Sequence, residues 1–157
     1  MITELDLQFL RDAIAVAWRA REHGNHPFGA ILVDAAHQVI LEAENTVNTE
    51  RDCTGHAETN LVRLATPRFT PEQLAACTLY ASTEPCAMCA GAIHWSQIGR
   101  VVYALSEDDL YAITGTAQQP LRLPCREVFA RSRHPVQVDG PETALDAEAR
   151  AVHANFW

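Results

Sequence analysis

Two short clusters combine metal-ligating side chains with a carboxylate. The first is His56-Ala57-Glu58 and the second is Pro85-Cys86-Ala87-Met88-Cys89. Two cysteines three residues apart present both sulfurs on one side of the first turn of a helix. Zinc takes thiolate sulfur and imidazole nitrogen, and a catalytic zinc uses three protein ligands with a fourth position left to water. His56, Cys86 and Cys89 supply three such groups, with two negative charges to balance the cation. Water in that fourth position has its pKa lowered toward ~7. Glu58, two residues past His56, is close enough to reach the water without binding the metal. This is a hydrolytic site in outline.

Each part also has another reading. A single histidine is more often a surface or core residue than a ligand. A Cys-x-x-Cys that follows a strand and opens a helix is also the arrangement of a redox pair. A fourth ligand from Cys53, Cys77, Cys125 or His94 would make the zinc structural and the chain a binding module. The redox reading leaves His56 and Glu58 without a task, and none of the extra candidates has the paired spacing of a structural knuckle.

These side chains must be positioned by strands and helices. Leu7, Leu10, Ile14 and Trp18 recur at helical spacing, with Gly24 as a stop. Phe28 to Val33 and Val39 to Leu41 read as neighbouring strands joined by a turn at Asp34 to His37. Asn45 to Cys53 is polar and reads as a loop. A helix from about His56 is stopped by Pro67. Thr78 to Ser82 reads as a strand, Cys86 to Ser96 as a helix and Val101 to Leu105 as a strand. Pro124 opens a helix over Glu127 to Arg131. A last strand follows at Val136 to Val138, and a closing helix runs from Glu142 to Phe156. The alternation predicts an α/β architecture of one domain over residues 1–157, a mixed sheet of about five strands flanked by helices in three layers.

The chain has 157 residues, 12 of them basic and 20 acidic, for a net charge of −8. All twelve basic residues are arginine, so Schiff-base lysine chemistry and a Walker lysine are excluded. The acidic balance argues against nucleic acid as a partner. The first residues lack the basic-then-apolar pattern of a signal peptide, and no apolar stretch reaches the ~18 residues of a membrane span. Five cysteines without an export signal point to metal binding or burial, not to a disulfide framework, and to a cytoplasmic protein. Cys53, Cys77 and Cys125 are expected to be buried small hydrophobes.

The joint pattern, His-x-Glu followed by Pro-Cys-x-x-Cys, resembles the zinc-dependent cytidine deaminase-like superfamily. The resemblance covers about residues 26 to 105. The run from Glu84 to Ile93 is similar to the form shared by bacterial guanine deaminases and tRNA adenosine deaminases. The likeness implies the three-layer cytidine deaminase-like fold, one zinc per chain on His56, Cys86 and Cys89, and Glu58 as the proton carrier. It also implies substrate contacts at Phe28, Asn45 and the backbone N–H of Ala57, and a homodimer paired through zinc-helix faces. His94-Trp95 and the terminal Phe156-Trp157 are similar to aromatic positions of guanine deaminases. The implied substrate is therefore a small nucleobase-like molecule, guanine or a related aminopurine, with Trp95 and Trp157 at the ring. A tRNA adenosine, a cytosine or cytidine, or an aminotriazine substrate is the alternative. Guanine deaminase-like chains carry an acid after the glycine that follows the last core strand. Thr114 to Gln119 contains none here. The segment from about 141 to 157 is expected to end in a tail that closes the site, with Trp157 as its lid and Phe156 completing an apolar stripe with Leu145 and Val152.

Overall fold

Continuous apolar runs in a sheet mean that both of its faces are covered, and this chain shows such runs. The computed structural model describes residues 1–117 and 119–157; Gln118, in the acid-free stretch named above, lies outside them. Five strands form one sheet: β1 (Gly29–Val33), β2 (Val39–Glu44), β3 (Thr78–Thr83), β4 (Arg100–Leu105) and β5 (Gln137–Asp139), in the order β2-β1-β3-β4-β5. β1 is antiparallel to β2 and β3, whereas β3, β4 and β5 are parallel. The expected mixed five-stranded sheet is present.

The period-2 alternation sorts side chains between two helical layers. Ile31, Val33, Tyr80, Val102 and Ala104 face the first layer, where α1 (Glu4–Glu22) packs Phe9, Leu10, Ala13 and Ile14. Ala30, Leu32, Leu79, Ala81, Val101 and Tyr103 face the second. There α3 (Ala57–Ala65) contributes Leu61 and Ala65, α5 (Ala87–Ser96) Ile93, and α7 (Cys125–Phe129) Phe129. Gly29 has to be glycine because a Cβ there would overlap the backbone of Ala13 and Ala17 on α1. That close approach seats the first helix on β1.

Several expectations need correction. Trp18 is 40% exposed and not on the buried stripe of α1, which runs through Leu10, Ala13, Ile14 and Ala17. The polar stretch after Asn45 contains a short helix, α2 (Val47–Glu50). α4 (Pro71–Ala75) and α6 (Glu107–Thr114) were not anticipated; both begin at a capping threonine or serine, Thr70 and Ser106. The closing helix shrinks to a 3₁₀ turn, Thr143–Leu145, followed by α8 (Asp146–Ala151). Phe156 therefore lies beyond the helical stripe. Cys77 and Cys125 are buried, but Cys53 is exposed.

Candidate active site

The cavity lies at the carboxyl ends of β3 and β4, the usual place for a site in an α/β sheet. His56 caps α3 and Cys86 caps α5, and neither side chain is spent on capping its own helix. Both face the same point. His56 Nδ1 is 3.6 Å from Cys86 Sγ and 3.6 Å from Cys89 Sγ. Ligands at Zn–S ≈ 2.3 Å and Zn–N ≈ 2.0–2.1 Å with a tetrahedral angle between them stand about 3.6 Å apart. The three donor atoms lie within 4.8 Å of one another. In spacing and in chemistry the group fits zinc.

The electrostatics agree. A hydrogen bond with Cys89, reinforced by His56, pulls Cys86 down toward the thiolate, while Cys89 is raised by that same contact and by burial. The pair thus holds one negative charge readily and gives up the second proton only to a strong cation. His56 is raised by its contact with Cys86. Thr59 Oγ1 lies 3.3 Å from Cys89 Sγ and fixes the buried sulfur from the α3 side.

Glu58 is buried on the first turn of α3, with the Cys89 thiol donating to its Oε2 at 3.5 Å. Burial pushes its carboxyl up to about 7, against the opposing pull of His56. A carboxyl poised there can take and return a proton near neutral pH. The loop before α3 is braced by Asn60, whose Nδ2 donates to Glu44 O at 3.0 Å and Thr46 Oγ1 at 2.9 Å.

His56, Glu58, Cys86 and Phe28 line one cavity, and Cys89 lies buried against the first two. Asn45 is fully buried beside it: its N–H donates to Phe28 O at 3.1 Å and its Oδ1 accepts from Val47 N–H at 3.0 Å. Asn45 Nδ2 is buried without a partner among the described residues, a donor left for something not belonging to the protein. Ala57 is the first residue of α3, where the N–H has no intrahelical acceptor.

Trp157 packs its ring 5.3 Å from His26 and 6.1 Å from Phe28, both in the cavity wall, and donates from Nε1 to His153 Nδ1 at 3.4 Å. Arg21 of α1 holds the tail from behind, donating to Val152 O and Ala154 O at 2.8 Å. Trp95 is not at the cavity. It is 82% exposed, at the far end of α5, with its ring edge-on to His94 at 5.1 Å.

Sequence reasoning missed the rest of the wall: His26, Thr83, Glu84, Glu107, Leu110 and Tyr111. Glu84 Oε1 accepts from Cys125 N–H at 3.0 Å and Oε2 from Glu107 N–H at 3.1 Å, so it ties α6 and α7 to the residues just before Cys86. The signal was there: Ser106-x-x-Asp109 before Leu110 is a helix-start pattern, and Ser106 Oγ does accept from Asp109 N–H.

Comparison with known proteins agrees with this geometry. Residues 3–105 match the family model described as the cytidine and deoxycytidylate deaminase zinc-binding region. A protein of Schizosaccharomyces pombe (strain 972 / ATCC 24843), named "Probable cytosine deaminase", is 44% identical over 158 residues, covering 99% of this chain and 94% of that protein. The guanine deaminase of Bacillus subtilis (strain 168) is 42% identical over 103 residues, covering 64% of this chain and 65% of its own. A solved structure from a study of A-to-I editing by tRNA:A34 deaminases superposes with a TM-score of 0.72 at 28% identity, covering 93% of this chain and 99% of that one. A five-stranded sheet with helices on both faces and a His-Cys-Cys metal group at the ends of its parallel strands define a zinc-dependent deaminase fold. The chain belongs to the cytidine and deoxycytidylate deaminase family and is a hydrolytic nucleobase or nucleoside deaminase with a zinc cofactor.

Proposed function

We propose that the chain, acting as one domain, hydrolytically deaminates a free aminated nucleobase. The observation that carries this is the buried Glu58 carboxyl, 3.5 Å from Cys89 Sγ, in the cavity that His56 and Cys86 also line. His56 Nδ1, Cys86 Sγ and Cys89 Sγ would hold a zinc ion, which when bound would lower the pKa of the attacking water. Glu58 would take one proton from the attacking water and deliver it to a ring nitrogen, then take the second from the hydroxyl left on the ring carbon and deliver it to the departing amine as the carbonyl forms. Asn45 Nδ2 and the Ala57 N–H donate to acceptors on the ring, Phe28 covers one face of it, and Trp157 shields the rim.

Cytosine is the first base to test, because the relative named for it matches along nearly the whole chain. Guanine is the second reading, supported by 42% identity over 103 residues to a guanine deaminase. Trp95 serves differently from the expectation. α5 is apolar nearly all round, and its outer side exposes Met88 and Trp95. A helix of that kind is normally covered, so these two are assigned to a homodimer contact. No helix among the described residues is long and apolar enough to cross a membrane, and the acidic chain is assigned to the cytoplasm.

The test is ammonia release by the zinc-loaded chain from cytosine, guanine, adenine, their nucleosides, aminotriazines and transfer RNA. Turnover of a free base, with little dependence on added salt, is expected. Transfer RNA as the sole substrate, with affinity falling steeply as salt rises through counterion release, would replace this reading with the tRNA one.

A further inference from the structure

Three carboxyl groups line the cavity, and they are not equivalent. Glu58 lies against the Cys89 sulfur. Glu84 has both oxygens occupied by backbone N–H groups. Glu107, the first residue of α6, is 5% exposed, and its Oε1 accepts from the Tyr111 hydroxyl one turn later at 2.6 Å. Its Oε2 has no hydrogen-bond partner among the described residues, although it belongs to a side chain in the cavity wall. Oε2 is not among the fully buried unpaired atoms of the described residues, so it opens on the cavity, where a ligand can reach it. The remaining wall includes Leu110 and the Tyr111 ring, neither of which can donate to it a second time, and Thr83, whose buried hydroxyl bonds neither to it nor to any other described residue.

We infer that Glu107 is a specificity-determining residue: its free oxygen accepts a ring N–H of the substrate, which selects an unsubstituted base over its N-substituted forms. This rests on the deaminase reading above and adds the part of the ring that α6 reads. In cytosine the carbon bearing the amine and the N–H of N1 stand across the ring from one another. A ring placed with its amine at Glu58, on α3, therefore turns that N–H toward another wall of the cavity, and α6 supplies a wall with an acceptor. A sugar or methyl group on the same nitrogen removes the donor and sets carbon against the carboxyl. Tyr111 is the positioning residue, since its hydroxyl fixes which oxygen is free.

The test uses whichever of cytosine or guanine the zinc-loaded chain turns over, beside 1-methylcytosine or 9-methylguanine. The wild type should prefer the unsubstituted base by about 10²-fold or more in kcat/KM, as sites built around a substrate N–H do. Glu107→Ala should raise KM about 10- to 100-fold while kcat changes by less than about threefold, and the preference should fall to a few-fold. Glu107→Gln keeps an accepting oxygen and should recover most of the KM. Zinc content and melting temperature of each variant separate a lost contact from a lost fold. An unchanged KM and preference in a folded Glu107→Ala overturn the role of Glu107 and leave the deaminase reading intact. A wild type that releases ammonia from no free base, and binds neither cytosine nor guanine by calorimetry, overturns both.

Discussion

The cavity has two kinds of wall. On the α3 and α5 side, donor atoms from two helix N-termini converge within a few ångströms, and each is held by its own helix and by one neighbour such as Thr59. On the α6 side, the wall is hung from elsewhere: α6 and α7 are both tied to Glu84, and the tail is tied to Arg21. The family model ends at residue 105, where the first kind of wall ends. The metal group and Glu58 thus lie within the stretch matched by the family, and the α6 wall lies beyond it.

The largest expected effects fall on the first wall. Cys89→Ala should lose stoichiometric zinc and all turnover, and it should melt earlier because metal binding is linked to folding. Glu58→Gln should keep zinc and fold while turnover drops by about 10²–10⁴-fold or more. Metal analysis alongside single-turnover rates tells the two apart, and a Glu58→Gln chain at near-normal rate would place the proton carrier elsewhere.

Glu84→Gln tests the suspension of the second wall. Hydrogen bonds to a charged acceptor contribute about 1.5–3 kcal/mol each, and the amide can keep only one of its two acceptor contacts. The melting temperature should fall and KM should rise, with zinc retained. Zinc loss of the size seen in Cys89→Ala would show that the two walls are a single unit.

His153 sharpens the comparison through pH. It is buried beneath Phe28 and Trp157, and burial lowers its pKa to about 4 from 6.5. The unfolded chain therefore binds this proton first as pH falls, so the contribution of His153 to stability declines from about pH 6.5 down to about 4 and is constant below. At 1.36 kcal/mol per pKa unit, the loss is on the order of 3 kcal/mol. Denaturant titrations across that range should show a shallower decline in His153→Phe; parallel curves would remove His153 from the account.

The smallest change expected is in the fold of a chain lacking Trp157. Its zinc content and melting temperature should stay close to wild type, while kcat/KM drops by about tenfold or more as the rim opens to water. Full activity in that truncation would make the tail simple packing.

What could be read beforehand divides along the same line. β1, β3 and β4 were legible because burial on both faces leaves each a largely apolar run bounded by polar residues, and the metal group because its parts are two and three residues apart. Glu107 was not legible: within Glu107-Asp108-Asp109 it resembles a solvated acidic run, and its burial depends on Glu84, 23 residues earlier. Trp95 misled for a geometric reason. Nine residues past Cys86, it stands roughly 13–14 Å farther along the helix axis, at the exposed end of α5. The closing helix was overextended because Leu145 and Val152 share a spacing that the 3₁₀ turn before α8 reproduces without one long helix.

The Glu84 clamp grips main chain and not side chains. Any residue except proline brings an N–H to that grip, so the anchoring does not depend on which side chains stand at Glu107 and Cys125, although Leu110 and Phe129 still have to fill the core. Divergence, or a designer, could rewrite the lining residue by residue, leaving the hinge pins untouched. On the role inferred for Glu107, retargeting begins with the cavity-facing residues of α6, before any catalytic group is disturbed.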